Sequence, residues 1–525
     1  YKRQYRSLDH INKDIKEENM KKNYLKKTVA LLATAVLTCT ALAGCGSSPG
    51  TPASTGTSES KPQESASQEG TQEQTSASDP QEIVDLVWYS VGNGMPDNYD
   101  AWKANLDAYL EKKIGVHLDV QVVSWSDWDG RRNTIVSTNE PYDIMFTNLG
   151  TYSNDVSIGA FADITELVKS ASPELYNFIP EDYWGATTIG GKIYGVPTYK
   201  DSSSTQYFVW DKELADKYGI DYDNIHTLAD ATEALTKLKE GENITPFILT
   251  NMGLDAIYGS RYDNIGTGIP ALGVSYYGEE RKVVAVFEQQ DVLEELGVIR
   301  QWYQSGIINK DAATLAENPN YRACFIAQGW PYAAKSTWGP NMGVEAVASQ
   351  YGDTVLSNDT VLGSINCISA SSAHPDKALQ LLQLVNTDSY VRDALRFGLE
   401  GDNFTYTEDG RVHVDKDKVW PMAGYTQGTF FNISLTDEED YNQWDEVKAL
   451  NEQAKPSPVL GFAFDMESVR DQISSCNEIW LRYRPELMTG TVDPETTIAA
   501  MMNEMRAAGF DDIMAEAQRQ IDAAF

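Results

Sequence analysis

From residue 83 onward the chain alternates short apolar runs with amphipathic stretches. Residues 83–91 (IVDLVWYSV) predict a buried strand, closed by the polar turn Gly92-Asn93-Gly94-Met95-Pro96. Over 97–115, Trp102, Leu106, Tyr109, Leu110 and Ile114 recur at helical spacing, and Gly115 marks the stop. Residues 116–123 alternate as a second strand, and 141–147 (PYDIMFT) predict a third. Strand, helix, strand, helix, strand at this spacing predicts a parallel α/β sheet with right-handed crossovers. The Gly190-Gly191 pair between Ile189 and Tyr194 predicts a tight hairpin. Further strands are expected over 207–210, 282–287, 324–327 and 365–369, and helices over 228–238 and 375–386. The end reads as helical: Asp493-Pro494 supplies a cap and a first-turn proline, Gly509 breaks the helix, and 511–524 forms the last one.

This folded stretch, 83–525, exceeds what one hydrophobic core organises and suits two lobes. The fold class is α/β.

The sequence before residue 83 has another character. Met20-Lys21-Lys22 opens a basic segment, 28–44 is uncharged and rich in Ala, Leu, Val and Thr, and the run ends Leu42-Ala43-Gly44-Cys45. Basic, apolar and small-residue regions in this order read as a signal peptide starting at Met20, with residues 1–44 as leader. Small residues before Cys45 resemble the lipobox of bacterial lipoproteins, where the cysteine thiol carries the lipid. Residues 46–82 are almost wholly Ser, Thr, Gly, Pro, Glu, Gln and Ala, and read as a disordered linker after the lipidated Cys45. Cys324, Cys367 and Cys476 are too few and too scattered for a disulfide scaffold and read as buried free thiols.

Charge narrows the partners. With 77 Asp+Glu against 42 Lys+Arg among 525 residues, the net charge of -35 argues against nucleic acid. The five histidines are scattered, with no Cys/His cluster, phosphate-cradling loop or nucleophile elbow, so neither a metal, a cofactor nor a catalytic residue is expected. What stands out is aromatic: 12 Trp, 28 Tyr and 15 Phe, several of them within polar loops. Rings beside amides and carboxylates suit sugars, whose C–H faces stack while their hydroxyls need hydrogen-bond partners.

Several stretches together resemble the family 1 extracellular solute-binding proteins of bacterial ABC importers, in the lipoprotein subgroup carrying a C-terminal domain of unknown function. They are 86–96 (LVWYSVGNGMP), 141–147, 191–197 (GKIYGVP), 397–401 (FGLEG), 461–465 (GFAFD), 489–494 (TGTVDP) and 517–522. The resemblance implies a type II, periplasmic-binding-protein-like fold with a ligand cleft between two lobes: lobe one over 83–199 with returning segments near 330–370, lobe two over 200–330 with later segments, and 455–525 as the subgroup's C-terminal region. It further implies capture of a small solute, typically an oligosaccharide, by lobe closure and delivery to importer permease subunits. The protein would act as a monomer, lipid-anchored on the extracellular face of the cell membrane. A receptor for a peptide or organic acid, using Arg131, Arg132 or Arg261, and a surface glycoside hydrolase are the alternatives. Because open α/β sheets bind ligands at the carboxyl ends of their strands, the cleft is expected at the loops after the strands. The candidate ligand-binding residues there are Tyr89, Asn93, Trp125, Trp128, Tyr199, Trp330, Trp338, Glu400 and Tyr425.

Overall fold

The structure, a computed structural model, describes residues 83–525. The leader, Cys45 and the linker lie outside the described residues. Nine strands carry the two larger sheets: β1 (Val84–Gly92), β2 (Val116–Ser124), β3 (Ile144–Thr147), β4 (Val196–Pro197), β5 (Ser204–Asp211), β6 (Cys324–Gln328), β7 (Ala346–Leu356), β8 (Ile365–Ile368) and β9 (Lys455–Pro456).

Lobe one is built on the sheet β2-β1-β3-β8-β4. β1, β2 and β3 run parallel, with Val84 opposite Val116 and Trp88 opposite Ile144, whereas β8 joins antiparallel. Helix α1 (Tyr99–Ile114) returns the chain between β1 and β2, burying Trp102, Leu106 and Leu110 at four-residue intervals. It ends where Gly115 takes a φ of 66° and donates its N–H to the Glu111 carbonyl, a left-handed stop that glycine adopts without strain. One sheet face packs Leu86, Trp88, Val120 and Ile368 against α1 and the helix Pro375–Thr387. The other packs Tyr89, Met145 and Cys367 under α2 (Trp128–Thr138) and α3 (Leu149–Ser157).

Lobe two is built on β6-β5-β7-β9, with β6 and β7 antiparallel to β5. β7 pairs with β5 almost throughout, so residues 331–356 belong with lobe two, and the chain rejoins the first sheet only at Ile365. The return expected near 330 therefore begins some thirty residues later. Helices Arg470–Leu487, Pro494–Ala507 and Phe510–Ala524 place Met501, Met502, Met505, Ile513 and Ile521 in one core with Phe208, Trp210, Leu235 and Trp302. The C-terminal region is thus a structural part of lobe two. The lobes are joined where β4 leads to β5, where β7 leads to β8, and around the helix Gln443–Gln453 that precedes β9. Cys324, Cys367 and Cys476 are free and buried, as read from their spacing.

Candidate ligand-binding site

The carboxyl ends of β2, β1 and β3 lie side by side on one edge of lobe one, so the residues after them share that edge. Trp125 follows β2 and Asn93 follows β1. The Trp125 indole N–H donates to Asn93 Oδ1 at 3.1 Å, while the ring remains 53 % exposed. Its face lies against Tyr425, with centroids 6.2 Å apart and planes within 17° of parallel. Tyr425 meets Phe146 edge-on at 5.9 Å, and Trp128 packs on Phe146 at 5.6 Å. Four rings from three separated segments form one wall at the strand ends, with Trp125 outermost.

Tyr425 reaches this wall because residues 421–429 are pinned to the sheet. Ala423 donates its N–H to the Val91 carbonyl at 3.0 Å, Ser90 and Thr426 share a hydroxyl hydrogen bond at 2.8 Å, and Ser364 donates to the Tyr425 carbonyl at 2.8 Å. Asn366 donates to the carbonyls of Thr426 and Gln427 while accepting from the Trp88 indole. Arg392, fully buried, holds the segment from behind. It donates to the carbonyls of Thr429 at 2.7 Å and Gly424 at 3.0 Å, and to the Gln427 side chain. With carbonyl and amide acceptors and no carboxylate on it, burial pulls the guanidinium down to about 9. Gly92 is required by the same packing: a Cβ there would sit 2.1 Å from the Pro421 carbonyl oxygen. Nothing in the sequence marks Arg392, one of two arginines in an amphipathic helix, as the clamp of a remote loop.

The remaining candidates are placed differently. Tyr89 is buried, and its hydroxyl is engaged with Glu140 and Arg131 on the α2 side. Tyr199 is 3 % exposed and packs among Tyr183, Phe178 and Phe431, because the segment after β4 folds back onto the lobe-one core. Trp330 is half-buried in lobe two, donating to Gln443 at 3.0 Å and tilted against Trp444, which also meets Phe430. Trp338 lies on a helical turn rather than in a loop, and buries its ring against Tyr207. Glu400 is exposed beside the hairpin of Phe404–Tyr406 and Val412–Val414, near Tyr390, whose ring is tilted against Tyr109 of α1. No described contact joins Glu400 to the aromatic wall, so it is set apart from the site. Asn93, Trp125, Trp128 and Tyr425 are the ones brought together.

The arginines of the anion-binding alternative are committed internally. Arg131 pairs with Glu140, Arg132 with the buried Asp155, and Arg261 with Glu295 at 2.7 Å. Among the described residues no three His, Cys, Asp or Glu side chains converge as metal ligands, and no helix is long and apolar enough to cross a membrane.

Two sheets joined by repeated crossings, with an aromatic wall at the strand ends beside the crossings, define a two-lobed α/β fold. Residues 92–266 match the family of bacterial extracellular solute-binding proteins, and 458–525 match a domain of unknown function. The chain is thus similar to extracellular solute-binding proteins over most of its first lobe and the start of its second, and to that second domain at its C-terminal end. It is 29% identical over 466 residues to the carbohydrate ABC transporter substrate-binding protein of Streptococcus pneumoniae serotype 4, covering 83% of this chain and 90% of that one. The crystal structure of the N-glycan transport solute binding protein NgtS from Streptococcus pneumoniae superposes with a TM-score of 0.73 at 27% identity, over 84% of this chain and 99% of that one. The same protein in complex with Man1GlcNAc superposes with a TM-score of 0.62 over the same shares.

Proposed function

We propose that this protein captures a neutral oligosaccharide between its lobes and delivers it to the membrane subunits of an ABC importer. The observation that carries the reading is Trp125: a large ring half in solvent, fixed flat by Asn93 and Tyr425 at the strand-end edge beside the crossings. A sugar C–H face stacks on such a surface, and its ordering needs no reorganisation of the protein. The relatives bearing carbohydrate and N-glycan names support this cargo class. The internal pairing of Arg131, Arg132 and Arg261 weighs against an organic anion.

Capture works by differential affinity. Cargo that touches both lobes only when they approach shifts the open–closed equilibrium by the free energy of those extra contacts. The protein works as a monomer, and Cys45 carries the lipid that holds it at the outer face of the membrane, with 46–82 as tether. Its cargo leaves intact, without glycosidic cleavage.

The test is a thermal-shift and calorimetric screen of the purified protein against oligosaccharides, peptides and organic acids. At a hundredfold Kd, cargo should add ~2.7 kcal/mol of stability. A shift with peptides or acids and none with glycans refutes the sugar assignment, and accumulating breakdown products refute the binding-protein reading.

A further inference from the structure

A cavity of about 300 Å³ opens one strand further along the same edge. Trp125 follows β2, Asn93 follows β1, and Leu149, which lines the cavity, follows β3. Its walls come from every part that lobe movement would displace. Leu149 belongs to lobe one, Asp359 and Leu362 to the crossing between β7 and β8, and Gly266, Phe462 and Phe464 to lobe two. The last two lie in the C-terminal region.

The polar groups are disposed asymmetrically. Asn358 is fully engaged, donating to the Phe462 carbonyl and accepting from the Gly461 N–H at 2.8 Å, which fastens the C-terminal arm to the crossing. Neighbouring Asp359 has a buried Oδ1 with no hydrogen-bond partner among the described residues. Behind it, Asp263 is 3 % exposed; its Oδ1 accepts from Ile265 N–H at 2.8 Å and its Oδ2 is likewise unpartnered. A buried carboxylate oxygen without a donor is costly, and folded proteins seldom keep one without a use. Gly266, at a φ of 73°, brings bare backbone up to the Asp359 carboxyl: a Cβ there would stand 3.8 Å from Oδ1. Two backbone donors of the lining are occupied: Leu149 N–H goes to the Leu362 carbonyl at 2.7 Å, and Gly150 N–H to Asn148 Oδ1 at 3.1 Å. The lining holds no Lys or Arg, and Asp359 is its one carboxyl group, beside Phe462 and Phe464.

We propose that this cavity is a cargo subsite for one neutral sugar residue, in which the Asp359 carboxyl accepts hydrogen bonds from the ligand's hydroxyls while Phe462 and Phe464 close the apolar side. The proposal rests on the oligosaccharide reading above and makes the C-terminal region part of the specificity apparatus. Vicinal hydroxyls supply the donors that Asp359 lacks, whereas a carboxylated sugar would bring a charge into a cavity whose lining has no cation, and is rejected.

The test is calorimetry on the purified wild type and Asp359→Asn. The probes are Man1GlcNAc and a panel of neutral oligosaccharides, with sialylated and uronic-acid-containing ones beside them. Asp359→Asn keeps the shape and relieves repulsion with Asp263, so its folding temperature should not fall and any lost affinity cannot be ascribed to unfolding. The expected result is that wild type takes a neutral glycan and rejects acidic ones, and that Asp359→Asn loses roughly tenfold or more for the neutral glycan. Wild-type binding with unchanged affinity in Asp359→Asn overturns the subsite and leaves the sugar receptor standing. Wild type that binds no neutral glycan overturns both.

Discussion

Asp359→Asn also makes a prediction that needs no ligand. Burial, followed by the nearby Asp263 carboxyl, pushes the Asp359 carboxyl up to about 7 in the folded protein, against roughly 3.9 in an unfolded chain. Between about pH 4 and 7 the native state therefore holds a proton that the unfolded state has released. The unfolded state binds fewer protons there, so stability falls as pH rises through that window and levels off above it. Three units at about 1.4 kcal/mol each set a ceiling near 4 kcal/mol. Because Asp263 is also raised, the two titrate as a coupled pair, and on the order of 2–4 kcal/mol is the expected size. Asparagine cannot ionise, so between pH 5 and 8 the variant should gain on wild type by about 2 kcal/mol, at most the two units left above pH 5. Urea unfolding of both proteins at pH 5, 6, 7 and 8 measures it. Taking the difference between the two cancels every other titrating group except Asp263. Parallel stability curves would refute the placement of Asp359 in a buried, donor-poor site.

Three further outcomes follow from the site. Trp125→Ala should weaken cargo by ~1 kcal/mol or more with little change in unfolding temperature, since the ring is half in solvent; equal affinity in calorimetry removes Trp125 from the site. Arg392→Met deprives the Thr429 and Gly424 carbonyls and the Gln427 amide of their buried donor, and should cost ~3 kcal/mol or more in denaturant unfolding. A loss below 1 kcal/mol would mean that 421–429 is held by other contacts. Gly92→Ala forces the Pro421 carbonyl from its place 2.1 Å from the new Cβ. It should weaken cargo by moving Tyr425 while leaving lobe two intact, which Trp125 fluorescence and cargo titration together detect.

Lobe one was readable because β1 and β3 are apolar runs, β2 alternates, and α1 stops at Gly115: 83–91, 116–123 and 141–147 fall on β1, β2 and β3. β7 escaped because Gln350, Gly352 and Asp353 interrupt its alternation, where the pairing itself shifts register between Tyr351 and Val355. Missing that strand put the return to lobe one too early. The site divides along the same line. Trp125 and Tyr425 stand out as rings in polar surroundings, but so does Tyr199, and only packing separates an exposed ring from a core one. Asp359 carried no signal at all: in a chain with 77 acidic residues, one carboxylate differs from the rest only by what surrounds it after folding.

The three C-terminal helices share their core with β5, laid down some three hundred residues earlier. During synthesis, Phe208, Trp210 and Leu235 must wait for Met501, Met505 and Ile521 before their apolar surface is covered. The second lobe therefore cannot mature before the helices at 470–524 have been made, however early its sheet forms. Through that interval the half-built lobe depends on whatever keeps nascent chains from sticking to one another.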